Sequence, residues 1–512
     1  MIITNDVKVK STAAFNLLNT SSLVQVNNQA NSGIVNYERK TKPMYFLDYT
    51  YWNSPVTLAS NFAIGNLTFG HNKLYSWRPT IANGSGNWLQ EPVTTFMNPI
   101  KGYIVRAPLG FPATGLKQVF TANFIGTPNN GDISIPISIG TNANIGAFVS
   151  GSSVAVTNAD DEWNLIGNPY PSSVDILGFL NDPVNTPFID GTVYLWTHNT
   201  LPSASAPDPF FADYQFNYTA NDYATINTLG NVATTTYTAA VSGGSLPSRY
   251  VASGQSFFIS AEANGNVLFK NSMRVASNNA TFFRTSNQSN DENNRFWLNL
   301  EGSNGSFSQT LIGYHPNATL AWDRGLDGEV MSLNSDKLYS TIPNKNLTIQ
   351  GRPTPFLNSD IVPLGFKATS NSSYRISLDH FDSNFDNQDI YIKDYNLNLT
   401  HNLKNGAYVF NSSIGQFSNR FEIIYQNSVL NNPTNSYENQ VIVYTNEKVD
   451  VKSDNELIDQ VTVFDVLGRK IDFYKDVNSN TLQLKNLFKN QAALLLRIEL
   501  QNGIVVTKKV IF

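Results

Sequence analysis

Helical periodicity is almost absent from this chain. Short runs alternate apolar and polar residues at every second position, and clusters of Asn, Gly, Pro and Ser separate them. Tyr103-Ile-Val-Arg106, Phe257-Phe-Ile-Ser260 and Phe421-Glu-Ile-Ile-Tyr425 are examples. Side chains of a strand point alternately to its two faces, so such runs can bury one face and wet the other. The pattern predicts an all-β protein of tandem antiparallel β-sandwich domains. The 32 Phe and 23 Tyr residues fit, because aromatic side chains pack well on pleated surfaces.

A chain of 512 residues exceeds one core and predicts three or four units. Charged residues are 14% of the chain, below the roughly 25% of soluble domains, so Asn, Ser, Thr and Gln must supply the polar surface. That balance suits a long-lived extracellular β protein. The net charge of −5 and the absence of a basic run argue against a nucleic-acid partner. With no cysteine, thiolate metal sites, thiol nucleophiles and disulfides are excluded. No apolar run reaches the roughly 18 residues that span a bilayer as a helix.

Residues 1–40 alternate in short pairs: Val7 and Val9, Phe15 and Leu17, then Leu23, Val24 and Val26. Asn-rich turns between them suit either the last rungs of a β-solenoid or an ordinary pair of strands capping the next domain. An internal duplication follows. In residues 41–157, Tyr51-Trp52-Asn53-Ser54-Pro55 precedes Leu74-Tyr75-Ser76-Trp77, then Gly102-Tyr103-Ile104-Val105, then Val119-Phe120-Thr121-Ala122-Asn123. In residues 158–290, Trp163-Asn164-Leu165-Ile166-Gly167-Asn168-Pro169 precedes Val193-Tyr194-Leu195-Trp196, then Gly254-Gln255-Ser256-Phe257-Phe258, then Val267-Leu268-Phe269-Lys270-Asn271. Four landmarks in one order predict two related β domains. A further sandwich is expected over 291–427, and Pro433 among asparagines marks 428–437 as a linker.

Residues 438–512 carry strands at Val441-Ile-Val-Tyr444, Val461-Thr-Val-Phe464, Leu482-Gln-Leu484, Leu494–Leu500 and Val505–Ile511. Asn502-Gly503 between the last two is a hairpin signal. About six strands predict a small C-terminal sandwich whose last strand lies at a sheet edge.

This segment resembles the C-terminal sorting domains of type IX secretion cargo of Bacteroidota. The likeness rests on Val461-x-Val463-Phe464-Asp465-x-x-Gly468-Arg469-x-Ile471, on Asn480-x-Leu482, and on Asn502-Gly503-x-x-x-Thr507-Lys508-Lys509-Val510-Ile511. Where the commonest subclass has Gly-x-Tyr before its penultimate strand, this chain has Gln491-Ala-Ala-Leu-Leu-Leu496, which is similar to a second subclass of gliding flavobacteria (type C-like). The resemblance implies export to the cell surface or medium. It also implies translocon and shuttle proteins of the outer membrane as partners, and Asp465, Gly468, Arg469, Asn502, Gly503, Thr507, Lys508 and Lys509 as motif residues. Met1-Ile-Ile-Thr-Asn-Asp6 lacks the basic and apolar regions of a signal peptide. For an exported protein, that predicts a processed or recombinant fragment.

Catalytic constellations are missing from the sequence. His71, His198, His315, His380 and His401 form no zinc-hydrolase spacing, and neither a nucleophile elbow nor a phosphate-binding glycine loop is present. Asp323-x-x-x-Asp327-x-Glu329 has a spacing that can wrap Ca²⁺, the one cofactor considered, and Asp379, Asp382, Asp386 and Asp389 form a second acidic group. Turns use Asp for backbone reasons as well, so both readings stay open. Trp52, Trp77, Trp88, Trp163 and Trp196 would be the sugar-stacking pool of a glycan-binding protein, but their recurrence in both copies is better explained as core packing. The expectation is a non-enzymatic, adhesin-like exported protein; the alternative is the glycan-binding region of a secreted polysaccharide-active enzyme.

Overall fold

A computed structural model describes residues 1–80, 84–140, 162–202, 218–234, 247–279, 294–426, 441–445, 447–454 and 456–512. The chain is all-β and divides into two compact units, Met1–Gln426 and Asn427–Phe512. The expected linker 428–437 and the boundary at 157/158 fall outside the described residues.

The N-terminal alternation becomes stacked parallel chain. Ile2–Ile3 pairs in parallel with Val24–Gln25, Lys8 bridges Ser32 in parallel, and Asn16–Leu17 pairs in parallel with Asn36–Tyr37. Partners thus lie 20 to 24 residues apart, one coil above the next. Asparagines stack between coils: the Asn27 amide donates to Asn5 Oδ1 at 2.8 Å, and Asn36 to Asn16 Oδ1 at 3.4 Å. Of the two readings left open by the sequence, these contacts fit a solenoid end. Antiparallel pairing of Val35–Lys40 with Thr121–Gly126 joins the second coil to the body.

Two antiparallel sheets follow with one shared strand order. The first runs Tyr49–Trp52, Tyr103–Arg106, Leu74–Trp77, Gly84–Gln90. The second runs Trp163–Gly167, Ser256–Ala261, Ile189–Trp196, Tyr223–Ile226, then Asn231–Val232. Tyr51 and Tyr75 flank Ile104 as Leu165 and Tyr194 flank Phe258, which makes Trp77 the counterpart of Trp196. That register corrects the Trp-Asn landmark. Trp52 lies level with Ile166, Pro55 with Pro169, and Trp163 with Tyr49. Trp52 and Trp163 also face different clusters, because they stand three positions apart in this register and an odd shift along a strand reverses the face.

The two sheets do not close separate cores. One cluster takes Leu23 and Tyr37 from the coils, Trp52 and Phe124 from the first copy, and Val193 and Phe257 from the second. Ile133–Ile137, inside the bounds expected for the first copy, pairs antiparallel with Gly265–Phe269 of the second. A second cluster, between the sheets, holds Tyr51, Trp77, Trp88, Trp163, Tyr194, Trp196 and Phe258. Trp77 donates its indole N–H to the Trp163 carbonyl at 2.6 Å, and Trp196 donates to the Tyr49 carbonyl at 3.1 Å. Since Trp77 matches Trp196 and Trp163 matches Tyr49, the exchange is reciprocal, as across a two-fold axis.

Residues 294–424 form one curled, nearly closed sheet of eleven strands rather than the two-sheet sandwich expected over 291–427. Phe296, Leu298, Ile312, Leu338, Leu364, Phe366, Ile376 and Ile423 fill its interior. Its outer face is also covered, with Trp297, Leu311 and Ile349 packing against Leu229, Val232 and Leu326. Asn294–Gly302 is buried along most of its length with Arg295 and Asn299 among its buried residues, so polarity along the strand does not mark which side is the interior.

The C-terminal unit is a small sandwich of three and four strands. One sheet runs Val441–Thr445, Val449–Ser453, Thr481–Leu484, and the other Lys470–Tyr474, Ile458–Asp465, Ala493–Leu500, Val505–Ile511. Val441, Val451, Val461, Val463, Leu484, Leu496, Ile498, Val506 and Phe512 make its core.

Candidate functional site

The motif residues of the C-terminal unit fall into two turns and one edge strand. Asp465 Oδ1 accepts the backbone N–H groups of Leu467 and Arg469, both at 2.9 Å, and Oδ2 accepts from Arg469 Nε at 2.6 Å. Those bonds, led by the Arg469 backbone N–H, hold the carboxyl below its usual pKa. Gly468 takes φ +77, a left-handed conformation that favours glycine there. The second turn is built likewise: Asn502 Oδ1 accepts the Ile504 N–H at 3.0 Å, and Gly503 takes φ +82.

These turns are not neighbours. Ile458 pairs with Leu500 and Asp465 with Leu494, so the turns sit at opposite ends of one sheet, ~23 Å apart at 3.3 Å per residue. Val505–Ile511 is the edge strand, with Thr507 opposite Arg497 and Lys509 opposite Leu495. Thr507 and Lys509 are exposed on one face; Lys508 is half-buried on the face of Val506. At the Asp465 end, Val466 and Leu467 in the turn and Ile511 in the edge strand are exposed apolar residues. The motif is thus a set of surface features spread along one sheet.

The acidic groups do not become a metal centre. Asp327 Oδ2 accepts the Asp323 N–H and Oδ1 the Gly351 N–H, each at 2.8 Å. Asp323 receives Thr319, and Glu329 pairs with Lys345 at 2.6 Å. In the second group, Asp379 takes Asn299 and His380, Asp382 takes Arg295, and Asp389 takes Tyr391 and Asn402. Among the described residues no group of three or more His, Asp or Glu side chains is placed to hold a metal ion. In this structure the carboxylates of Asp323, Asp327 and Glu329, read above as possible Ca²⁺ ligands, each close local structure.

The tryptophans are equally committed. Trp52, Trp77, Trp88, Trp163 and Trp196 are all buried, and none offers a face for a sugar to stack on. The histidines serve structure too. His71 meets the Ala107 carbonyl at 2.7 Å, His401 the Gly406 carbonyl at 2.9 Å, and the Asn317 N–H donates to His315 Nδ1. His380 stacks on Trp297 with centroids 3.9 Å apart. Burial drives His198 down to about 3, so it is neutral.

Residues 1–425 match the family model described as "Domain of unknown function (DUF8693)". The chain belongs to that family. Residues 430–512 match a second model, "Domain of unknown function (DUF8694)", and the two matches meet where the two compact units do. No curated protein matches the chain.

Sequence reasoning missed a set of buried ionisable groups in this DUF8693 region. Asp222 accepts Thr200 through both its N–H (2.9 Å) and its hydroxyl (2.8 Å), and burial raises its pKa to about 7. Burial lowers Lys337 to about 8 and Lys42 to about 8, and raises Asp48 to about 6. No local pattern marks these residues, because they come from segments more than a hundred positions apart. Small polar neighbours such as Thr197, Asn199 and Thr234 are the nearest thing to a signal.

Proposed function

We propose that the chain is a non-catalytic, adhesin-like protein of the cell surface or medium, exported by the type IX route, with residues 438–512 as its address. The observation that carries this reading is that the motif-bearing segment is a compact unit with its own core, while its motif residues lie in surface turns and an exposed edge strand. An address must be readable from outside a folded domain, and Val466, Leu467 and Ile511 stand exposed at the Asp465 end of the sheet. In the larger unit, the candidate ligating and stacking residues are absorbed into packing and turns.

The test is export in a host with the type IX machinery. Removing 438–512 should trap the protein inside the envelope, and fusing 427–512 to a periplasm-directed reporter should send it out. Surface display of the truncated protein, or retention of the fused reporter, would refute the proposal.

A further inference from the structure

The outer face of the curled sheet is uncovered at one end. In Asn294–Gly302, Phe296, Leu298 and Leu300 fill the interior and the odd-numbered residues face outward. Trp297 packs there with Leu229 and Val232, but the cover does not extend to the level of Glu301. At that level four strands set a row of outward side chains in register. Phe307 stands opposite Glu301, Glu301 opposite Arg375, and Arg375 opposite Val409. Cross-strand partners share a face, so the row reads apolar, acidic, basic, apolar. Arg375 Nε lies 2.5 Å from Glu301 Oε2, and the two side chains have no other hydrogen-bonded or charged partner among the described residues. Arg375 and Val409 are exposed, and Phe307 is half-buried.

This row and the turn at 303–306 line a recess of about 440 Å³. The turn is pinned by Asp336, a buried carboxylate. Asn304 Nδ2 donates to Asp336 Oδ2 at 2.8 Å and to Ser370 Oγ at 3.0 Å, and the Ser306 N–H donates to Asn304 Oδ1 at 3.1 Å. Gly302 permits the fold-back, since a Cβ there would stand 2.3 Å from Asn304 Oδ1. The walls are thus set before anything enters, which lowers the ordering cost of binding.

We propose that this recess binds a neutral saccharide segment. Each sugar hydroxyl can donate and accept, so one can donate to the Glu301 carboxylate while its neighbour accepts from the Arg375 guanidinium. Phe307 and Val409, at the two ends of the row, suit the apolar C–H face of the ring. A lipid chain would strip water from the ion pair and return no hydrogen bonds. An anionic ligand would meet the like charge of Glu301. A glycan ligand would supply the adhesive contact of the proposed function, but the recess belongs to the larger unit alone and is tested without export.

The test is an array of neutral and acidic oligosaccharides probed with the purified whole chain, followed by calorimetric titration of the strongest neutral hit. Glu301→Gln and Arg375→Gln should each weaken that binding roughly tenfold or more, because each removes a charged hydrogen-bond partner. Lys393→Gln, which breaks the Lys393–Glu422 pair of the same sheet, should leave it unchanged. Surface ion pairs add little to stability, so the urea midpoints of all three variants should stay at the parent value. Absence of any neutral hit overturns the proposal, as does binding of acidic glycans alone. A neutral hit that survives Glu301→Gln and Arg375→Gln, or that Lys393→Gln weakens equally, also overturns it.

Discussion

Trp77 donates its indole N–H to the backbone carbonyl of Trp163 at 2.6 Å, across the seam between the two sheets. Trp196 returns the bond to Tyr49, the matching position of the first sheet. Two equivalent donors thus lock two related sheets face to face. Ring contacts support them, with Trp77 edge-on to Phe258 at 5.0 Å and Tyr51 stacked on Trp196 at 5.7 Å.

Trp77→Phe and Trp196→Phe should each destabilise the larger unit by about 1–3 kcal/mol, since each removes an indole donor from the seam. The reciprocal geometry predicts losses of similar size, read as shifts in the urea midpoint at unchanged slope. A loss confined to one substitution would contradict the equivalence.

Asp222 predicts a pH dependence. Its folded pKa, about 7, lies above its ordinary value of 3.8, so the folded state holds the proton more tightly. Its contribution is complete below pH ~4 and is lost as pH rises through 7. Asp48 and Asp327, raised to about 6 and about 7, act in the same window and sense. Urea midpoints should therefore fall between pH 5 and 8, and Asp222→Asn should flatten that fall. A midpoint that rises over this range in the parent protein would refute the assignment.

Calcium should not matter to folding. Because Asp323, Asp327 and Glu329 are committed to Thr319, backbone N–H groups and Lys345, chelator and millimolar Ca²⁺ should leave the thermal midpoint unchanged. A rise of several degrees with Ca²⁺ would show that these side chains rearrange to bind it.

Gly468→Ala tests the Asp465 turn. An added Cβ meets nothing within 4 Å, so its cost is the left-handed backbone alone, about 1–2 kcal/mol. Hydrogen exchange should quicken in Ile458–Asp465 and Lys470–Tyr474 and stay unchanged in the larger unit.

Local rules determined much of this protein. Period-two alternation is enough to specify strands, because a strand needs only one wet and one dry face, and it specified an all-β chain. Asn502-Gly503 marked a hairpin because its backbone preferences are local. The C-terminal sandwich was legible because its strands alternate and its last hairpin closes locally, although Ile458 pairs as far away as Leu500. Even so, where about six strands are expected there are seven; Val449–Ser453 and Lys470–Tyr474 are the two that were not marked, and the latter is mostly exposed and shows no clean apolar face. Other features were decided only by tertiary structure. That Trp52 lies level with Ile166, that two sequence copies share one core, and that eleven strands curl into one sheet all depend on which strand pairs with which. The Trp77–Trp163 bond spans 86 residues. Local alternation is indifferent to such choices, because the same dry face can be covered by many partners. Packing and hydrogen-bond satisfaction across the whole unit select one.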